Sequence, residues 1–170
     1  MTLETKKTQT GRPVVLAFYL NSKGIAYGFV DSPSLGIESG YKTYKPISSR
    51  RCLRQAQVYL EYFKPDIVLL EDTESHVSYK RNRIKNLIED IAIAAENQHL
   101  KVTRYTREDI RKEFEPFSAI TKYEIAKQIA SWHSEYEDRL PKIRKLYTSE
   151  SYSMAEFDAL SLAYTHYYRT

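Results

Sequence analysis

Two carboxylates stand out from their surroundings. Glu71 ends Asp66-Ile67-Val68-Leu69-Leu70-Glu71, whose four central residues are all apolar. A carboxylate at such a place is costly unless it is paired, metal-bound or in water. Asp72 follows directly, and Glu74 is close behind. In open α/β sheets, ligands bind beyond the carboxyl ends of strands, which is where Glu71 stands. Asp158 lies in Phe157-Asp158-Ala159-Leu160-Ser161-Leu162-Ala163-Tyr164, a segment that is otherwise largely apolar. The nearby Ser153-Met154-Ala155-Glu156 has the Ser-x-x-Glu spacing of a capping box, which gives Glu156 a structural task and leaves Asp158 without one. Each acid also has a plainer reading. Glu71 could be a solvated strand end, and Asp158 a first-turn acid favoured by the helix dipole.

Basic residues gather in three places. Lys80, Arg81, Arg83 and Lys85 fall between Ser75 and Ile88 with no acid among them. Arg139, Lys142, Arg144 and Lys145 form a second group, and Arg50, Arg51 and Arg54 a third. Such groups either contact phosphates or form solvated helix faces. The first follows directly on the Glu71 segment. His76 and His133 have no Cys or His partner at zinc-ligand spacing. There is no P-loop and no dinucleotide-binding glycine fingerprint, and Cys52 and Ser48 have no triad context.

The elements that must position these residues follow from periodicity. Val14–Leu20 and Ile25–Val30 are β-rich runs around the polar break Asn21-Ser22-Lys23-Gly24, which reads as a hairpin. Tyr41–Lys45 is a candidate third strand. Ser48 or Ser49 opens a helix reaching Phe63, with Leu53, Ala56, Leu60 and Phe63 at helical spacing and Pro65 ending it. Asp66–Glu71 reads as a strand covered on both faces. Lys80–Gln98 is a long helix, Leu100–Tyr105 a strand, and Thr106 caps a short helix through Phe114. Further helices run over Thr121–His133 and from Ser153 onward. The polar stretch Glu135–Ser151 reads as loop or irregular helix. A hairpin followed by strands alternating with helices predicts an α/β fold, a mixed sheet with flanking helices.

The whole chain has 170 residues, which suits one domain. Residues 1–12 read as a flexible leader and 13–170 as the domain. No apolar run approaches the ~18 residues of a membrane span, and the N-terminus lacks the apolar core of a secretory signal. Cys52, the only cysteine, permits no internal disulfide and fits a cytoplasmic setting. A net charge of +4, from 26 Lys and Arg against 22 Asp and Glu, is too mild by itself to imply nucleic-acid binding. The 15 tyrosines suit core and interface positions, and some could stack on unpaired bases.

Three segments, in order, resemble the RuvC-like Holliday junction resolvases. Leu16-Ala17-Phe18-Tyr19 with Gly24-Ile25-Ala26-Tyr27-Gly28-Phe29-Val30 is similar to their opening hairpin. Pro65–Glu71 resembles their second acidic motif, and Phe157–Ala163 their last. The likeness covers about residues 13–168 and implies a ribonuclease H-like fold. It also implies two-metal phosphodiester hydrolysis with Mg2+ or Mn2+, in which carboxylates hold two ions, and action as a homodimer on branched DNA during recombination. On this reading Glu71 and Asp158 are the catalytic and metal-binding residues. Arg111 and Lys122, eleven positions apart, match two basic positions near the scissile phosphate. With Lys80, Arg81, Arg83 and Lys85 they make up the expected DNA-binding set.

The chain departs from the family pattern at two acids. Tyr19 stands where the first-strand aspartate bridges both ions, and Ala155 where another acid precedes Asp158 by three residues. A neutral phenol is a poor Mg2+ ligand. Asn21, Asp31 and Glu156 are the nearest substitutes. The expectation is therefore a divergent protein that binds structured DNA, with degraded or absent nuclease activity. Two readings compete with it. One is an active Mg-dependent endodeoxyribonuclease with an unusual acidic site. The other is a protein-interaction module with a vestigial cleft.

Overall fold

A computed structural model describes residues 13–32, 36–73, 81–143 and 151–170. The proposed leader 1–12 lies outside these, as do Glu74, His76, Lys80, Arg144 and Lys145.

Five strands form one sheet: β1 (Val15–Leu20), β2 (Gly24–Ser32), β3 (Gly36–Thr43), β4 (Ile67–Glu71) and β5 (Lys101–Tyr105). Their order is β3-β2-β1-β4-β5. β1 and β2 pair antiparallel, as do β2 and β3, whereas β4 runs parallel to both β1 and β5. The sheet is mixed, as the order of elements predicts.

Alternation along β1 and β4 sorts side chains between two layers. Leu16, Phe18, Leu20, Val68 and Leu70 face a core shared with α1 (Ser49–Phe63) and α2 (Asn82–Asn97). Val15, Ala17, Ile67 and Leu69 face the opposite core, shared with α3 (Arg107–Phe114), α4 (Lys122–Trp132) and α5 (Tyr152–Arg169). Residues two further along, Tyr19 and Glu71, inherit the α5 face. β1 and β4 register Ala17 against Leu69. One pleat more sets Tyr19 alongside Glu71.

α5 is buried along most of its length and crosses β1 and β2. Ala26, Ala155 and Ala159 pack together with Tyr19 against them, so small side chains let the helix lie close to the sheet. The Tyr167 hydroxyl donates to the Pro13 and Val30 carbonyls at 2.7 and 3.0 Å, tying the far end of α5 to the start of the hairpin. Among the tyrosines that can be placed, Tyr105, Tyr136, Tyr164 and Tyr167 are buried, while Tyr41 and Tyr152 stack on each other at the surface.

Two local expectations are corrected. The third strand is Gly36–Thr43 rather than Tyr41–Lys45. It is a partly exposed edge strand held by its backbone ladder to β2, so its side chains carry little apolar alternation. Ser153 and Glu156 do not form a capping box. The helix starts earlier, at Tyr152, and the buried Glu156 carboxylate instead accepts from Ser39 Oγ at 3.3 Å and lies 3.5 Å from Arg139. Thr106 does cap its helix, in a full capping box with Asp109, and Thr121 does the same with Glu124.

Among the described residues no helix is long and apolar enough to cross a membrane.

Candidate nucleic-acid cleft

At the carboxyl ends of β1 and β4 the structure opens into a cavity of about 970 Å3. Tyr19 and Asn21 enter from the β1 end and its turn, Glu71 from the end of β4, and Asp158 from the first half of α5. Arg81 comes from the start of α2, Arg107, Glu108 and Arg111 from α3, and Lys122 from the first position of α4. Helix starts therefore surround the strand ends, the usual geometry of a ligand crevice in such sheets.

The two predicted acids share this cavity, and Tyr19 lies with them. Asp158 is 4% exposed, yet it is not a bare buried charge. Lys122 Nζ donates to its Oδ2 at 3.3 Å, and Arg107 Nη1 lies 3.7 Å from its Oδ1. The same Lys122 Nζ donates to the Tyr19 hydroxyl at 3.1 Å and sits 5.2 Å from the centre of the Tyr19 ring. Burial, and secondarily the Asp158 charge, push the Tyr19 phenol well above its ordinary range. It remains a neutral hydroxyl at any physiological pH.

The donor set does not fit a two-ion centre. Among the described residues, no three or more His, Cys, Asp or Glu side chains are grouped to hold a metal ion. Of the carboxylates that line the cleft, Asp158 is already engaged by an ammonium and a guanidinium. Tyr19 contributes a neutral phenol, a poor ligand for a divalent ion. A divalent ion beside Asp158 would also meet the Lys122 charge, at a cost of several kcal/mol at such separations.

The substitutes suggested by sequence are occupied elsewhere. Asn21 Oδ1 accepts from the backbone amides of Lys23 and Gly24 at 2.8 and 3.1 Å, which builds the hairpin turn. Asp31 follows Val30, the partner of Val15, and so lies at the opposite end of β1 from Tyr19. Glu156 faces Ser39 and Arg139.

The expected phosphate contacts divide. Arg81, Arg111 and Lys122 line the cavity. Arg83 Nη1 instead donates to Ser49 Oγ of α1 at 3.3 Å, bridging the two helices on the other layer. Lys85 is not a lining residue, and Lys80 lies outside the described residues. Arg50, Arg51 and Arg54 belong to α1, beneath the opposite face of the sheet.

Arg107 was not singled out from sequence. It lines the cavity, and its Nη2 is buried without a hydrogen-bond partner among the described residues. The usable signal was positional: a basic residue immediately after the capping Thr106, at the end of β5. In all, the lining holds four cations against three carboxylates.

No protein-family model and no curated protein matches the sequence. Solved structures do match its fold. Thermus thermophilus RuvC superposes with a TM-score of 0.61 at 16% identity, covering 91% of this chain and 93% of that one. T. thermophilus RuvC in complex with a Holliday junction substrate gives 0.64 at 16% identity, with 93% and 94% covered. The yeast mitochondrial Holliday junction resolvase gives 0.57 at 14% identity, with 89% and 76% covered. At these identities the likeness establishes the fold, which is the RuvC, ribonuclease H-like one.

Proposed function

We propose that this chain, built on the RuvC fold, is a divergent protein that binds structured, junction-like DNA in the cleft and has degraded or absent metal-dependent endonuclease activity. The observation that carries this reading is Lys122 between Tyr19 and Asp158: an ammonium and a phenol stand among the acids, in a crevice that Arg81, Arg107 and Arg111 also line. One neighbour, T. thermophilus RuvC, was solved in complex with a Holliday junction substrate, which supports branched DNA as the ligand class. Phosphate contacts from Arg81, Arg107 and Arg111 would position the DNA without reading its sequence. A cytoplasmic homodimer belongs to the same reading.

The test compares an immobile four-way junction with a duplex of equal length in chelator. Binding to the junction that weakens steeply with salt is expected, because phosphate contacts release counterions. No binding to either DNA would overturn the reading and favour a protein-interaction module. One observation favours an active enzyme instead: Glu71 and Asp158 do reach the same cavity. Were that enzyme present, Mg2+ would be held by those two acids.

A further inference from the structure

We infer that the Lys122 ammonium is the resident cation of this cleft, holding Asp158 in the place where a divalent ion would otherwise be drawn. The inference deepens the proposed function. It rests on that reading only for the identity of the displaced group, since the ion-pair geometry stands by itself.

Three observations converge on it. First, a buried carboxylate needs a positive partner, and Asp158 has two on the protein, one on each oxygen: Lys122 on Oδ2 and Arg107 on Oδ1. Second, the ammonium is placed by more than Asp158. The Tyr19 hydroxyl accepts from it at 3.1 Å, and the Tyr19 ring lies 5.2 Å away at the distance of a cation–π contact. An aspartate at position 19 would offer a metal ion a charged oxygen. The phenol offers a monovalent ammonium a neutral acceptor and a π face instead. Third, Lys122 is the first residue of α4, whose start is locked by the Thr121–Glu124 capping box. The side chain thus reaches the cleft from a rigid base. Position 19 and Lys122 are matched to each other: the residue type that removes a metal ligand is the one that accommodates an organic cation.

The consequence is a cleft whose positive charge does not depend on ambient metal. Lys122 stays with Asp158, and phosphate falls to Arg81, Arg107 and Arg111, which refines the expectation that Lys122 itself contacts DNA.

The test uses Mn2+ alone, with no DNA, so its outcome is separate from the DNA-binding experiment. Mn2+ binding is followed by electron paramagnetic resonance for the parent, Lys122→Met, and Lys122→Met with Asp158→Asn. Methionine keeps the unbranched shape and most of the length of the side chain and removes its charge. Lys122→Met should bind Mn2+ about ten-fold more tightly than the parent, equivalent to about 1.4 kcal/mol, and adding Asp158→Asn should cancel the gain. Lys122→Met binding no tighter than the parent overturns the inference. Should that variant fail to fold, the parent decides the matter by NMR. Lys122 side-chain resonances that stay sharp as Mn2+ is added support a resident ammonium. Selective paramagnetic broadening of those resonances overturns it.

Discussion

α5 passes so close to β2 that a methyl carbon on Gly28 would lie 2.9 Å from the amide nitrogen of Leu160 and 3.0 Å from the carbonyl carbon of Ala159. Both atoms are backbone, so neither can rotate aside. The absence of a side chain at Gly28 therefore sets the height of α5 above the sheet, and with it the depth of Asp158. Gly28→Ala should destabilise the protein by about 1–3 kcal/mol, the usual cost of overpacking. It should also weaken DNA binding, because Asp158 and its cations move together. Urea unfolding and junction binding measured on the same sample test this, and an unchanged unfolding midpoint would contradict the close packing.

Tyr19→Asp should melt lower than the parent in chelator. The change removes a partly buried ring from the Ala26, Ala155 and Ala159 cluster and adds a carboxylate beside two others. A loss of about 1–3 kcal/mol is in keeping with such a change. In Mn2+ the variant should regain more melting temperature than the parent, since an ion bound only by the folded state stabilises it. Lys122 limits that gain, so combining the change with Lys122→Met should enlarge it. Equal Mn2+ response in parent and Tyr19→Asp would mean that Tyr19 does not occupy the first-acid position.

Arg81→Ala and Arg111→Ala should each weaken junction binding and reduce the slope of log affinity against log salt by about one, as expected for a lost phosphate contact. Arg83→Ala should leave that slope in place, because Arg83 is committed to Ser49. Its effect should appear in thermal stability instead. A salt slope lowered equally by all three would indicate that DNA also covers α2 outside the cleft.

In Mg2+ the protein as written should cleave junction DNA slowly or not at all. Tyr19 is a neutral phenol beside the acids, and Asp158 carries an ammonium and a guanidinium. Robust Mg2+-dependent cleavage that disappears in Glu71→Gln would establish the active-enzyme reading.

Two histidines give the fold a dependence on pH. His166 is 4% exposed, with Nδ1 sharing a 2.7 Å hydrogen bond with the Tyr105 hydroxyl. Burial, aided by the Lys101 charge, lowers its pKa below the ordinary 6.5. His133, bonded to the Tyr164 hydroxyl, is lowered by burial and partly restored by Glu135. A histidine lowered on folding takes up its proton first in the unfolded chain. Its contribution is therefore intact above the unfolded pKa and is lost as pH falls through the folded one. Urea midpoints should drop as pH falls below about 6.5, and His166→Gln should flatten part of that drop. Identical pH profiles for parent and variant would show that His166 is not held neutral.

The layers of this protein were legible in its sequence because they arise from local periodicity. Continuous apolar runs in Val15–Leu20 and Ile67–Glu71 mark strands covered on both faces, and the run around Asp158 marks a buried helix; that Tyr19 and Glu71 share a face follows from the β1–β4 register. The caps at Thr106 and Thr121 span three residues, so they too could be read from the chain. Where a reading failed, a distant partner had intervened. Ser-x-x-Glu at the start of α5 has capping spacing, but Ser39 lies 117 residues from Glu156 and takes its carboxylate inward. β3 escaped notice along most of its length because an edge strand is held by backbone bonds that leave little trace in side-chain pattern.

By itself, then, the sequence determined most of the elements and the place of Glu71 at a strand end, while the meeting of Glu71 with Asp158 was implied only by the family resemblance. Only the tertiary structure decided what charges those acids meet. Lys122 lies 36 residues from Asp158 and on a different helix, yet its ammonium ends 3.3 Å from the carboxylate. Arg107 arrives from a third helix. Periodicity reports which side of an element is apolar, and it is set by neighbours a turn or a pleat away. Coulombic partners are chosen by where helices come to rest over the sheet, and that is a property of packing between distant segments.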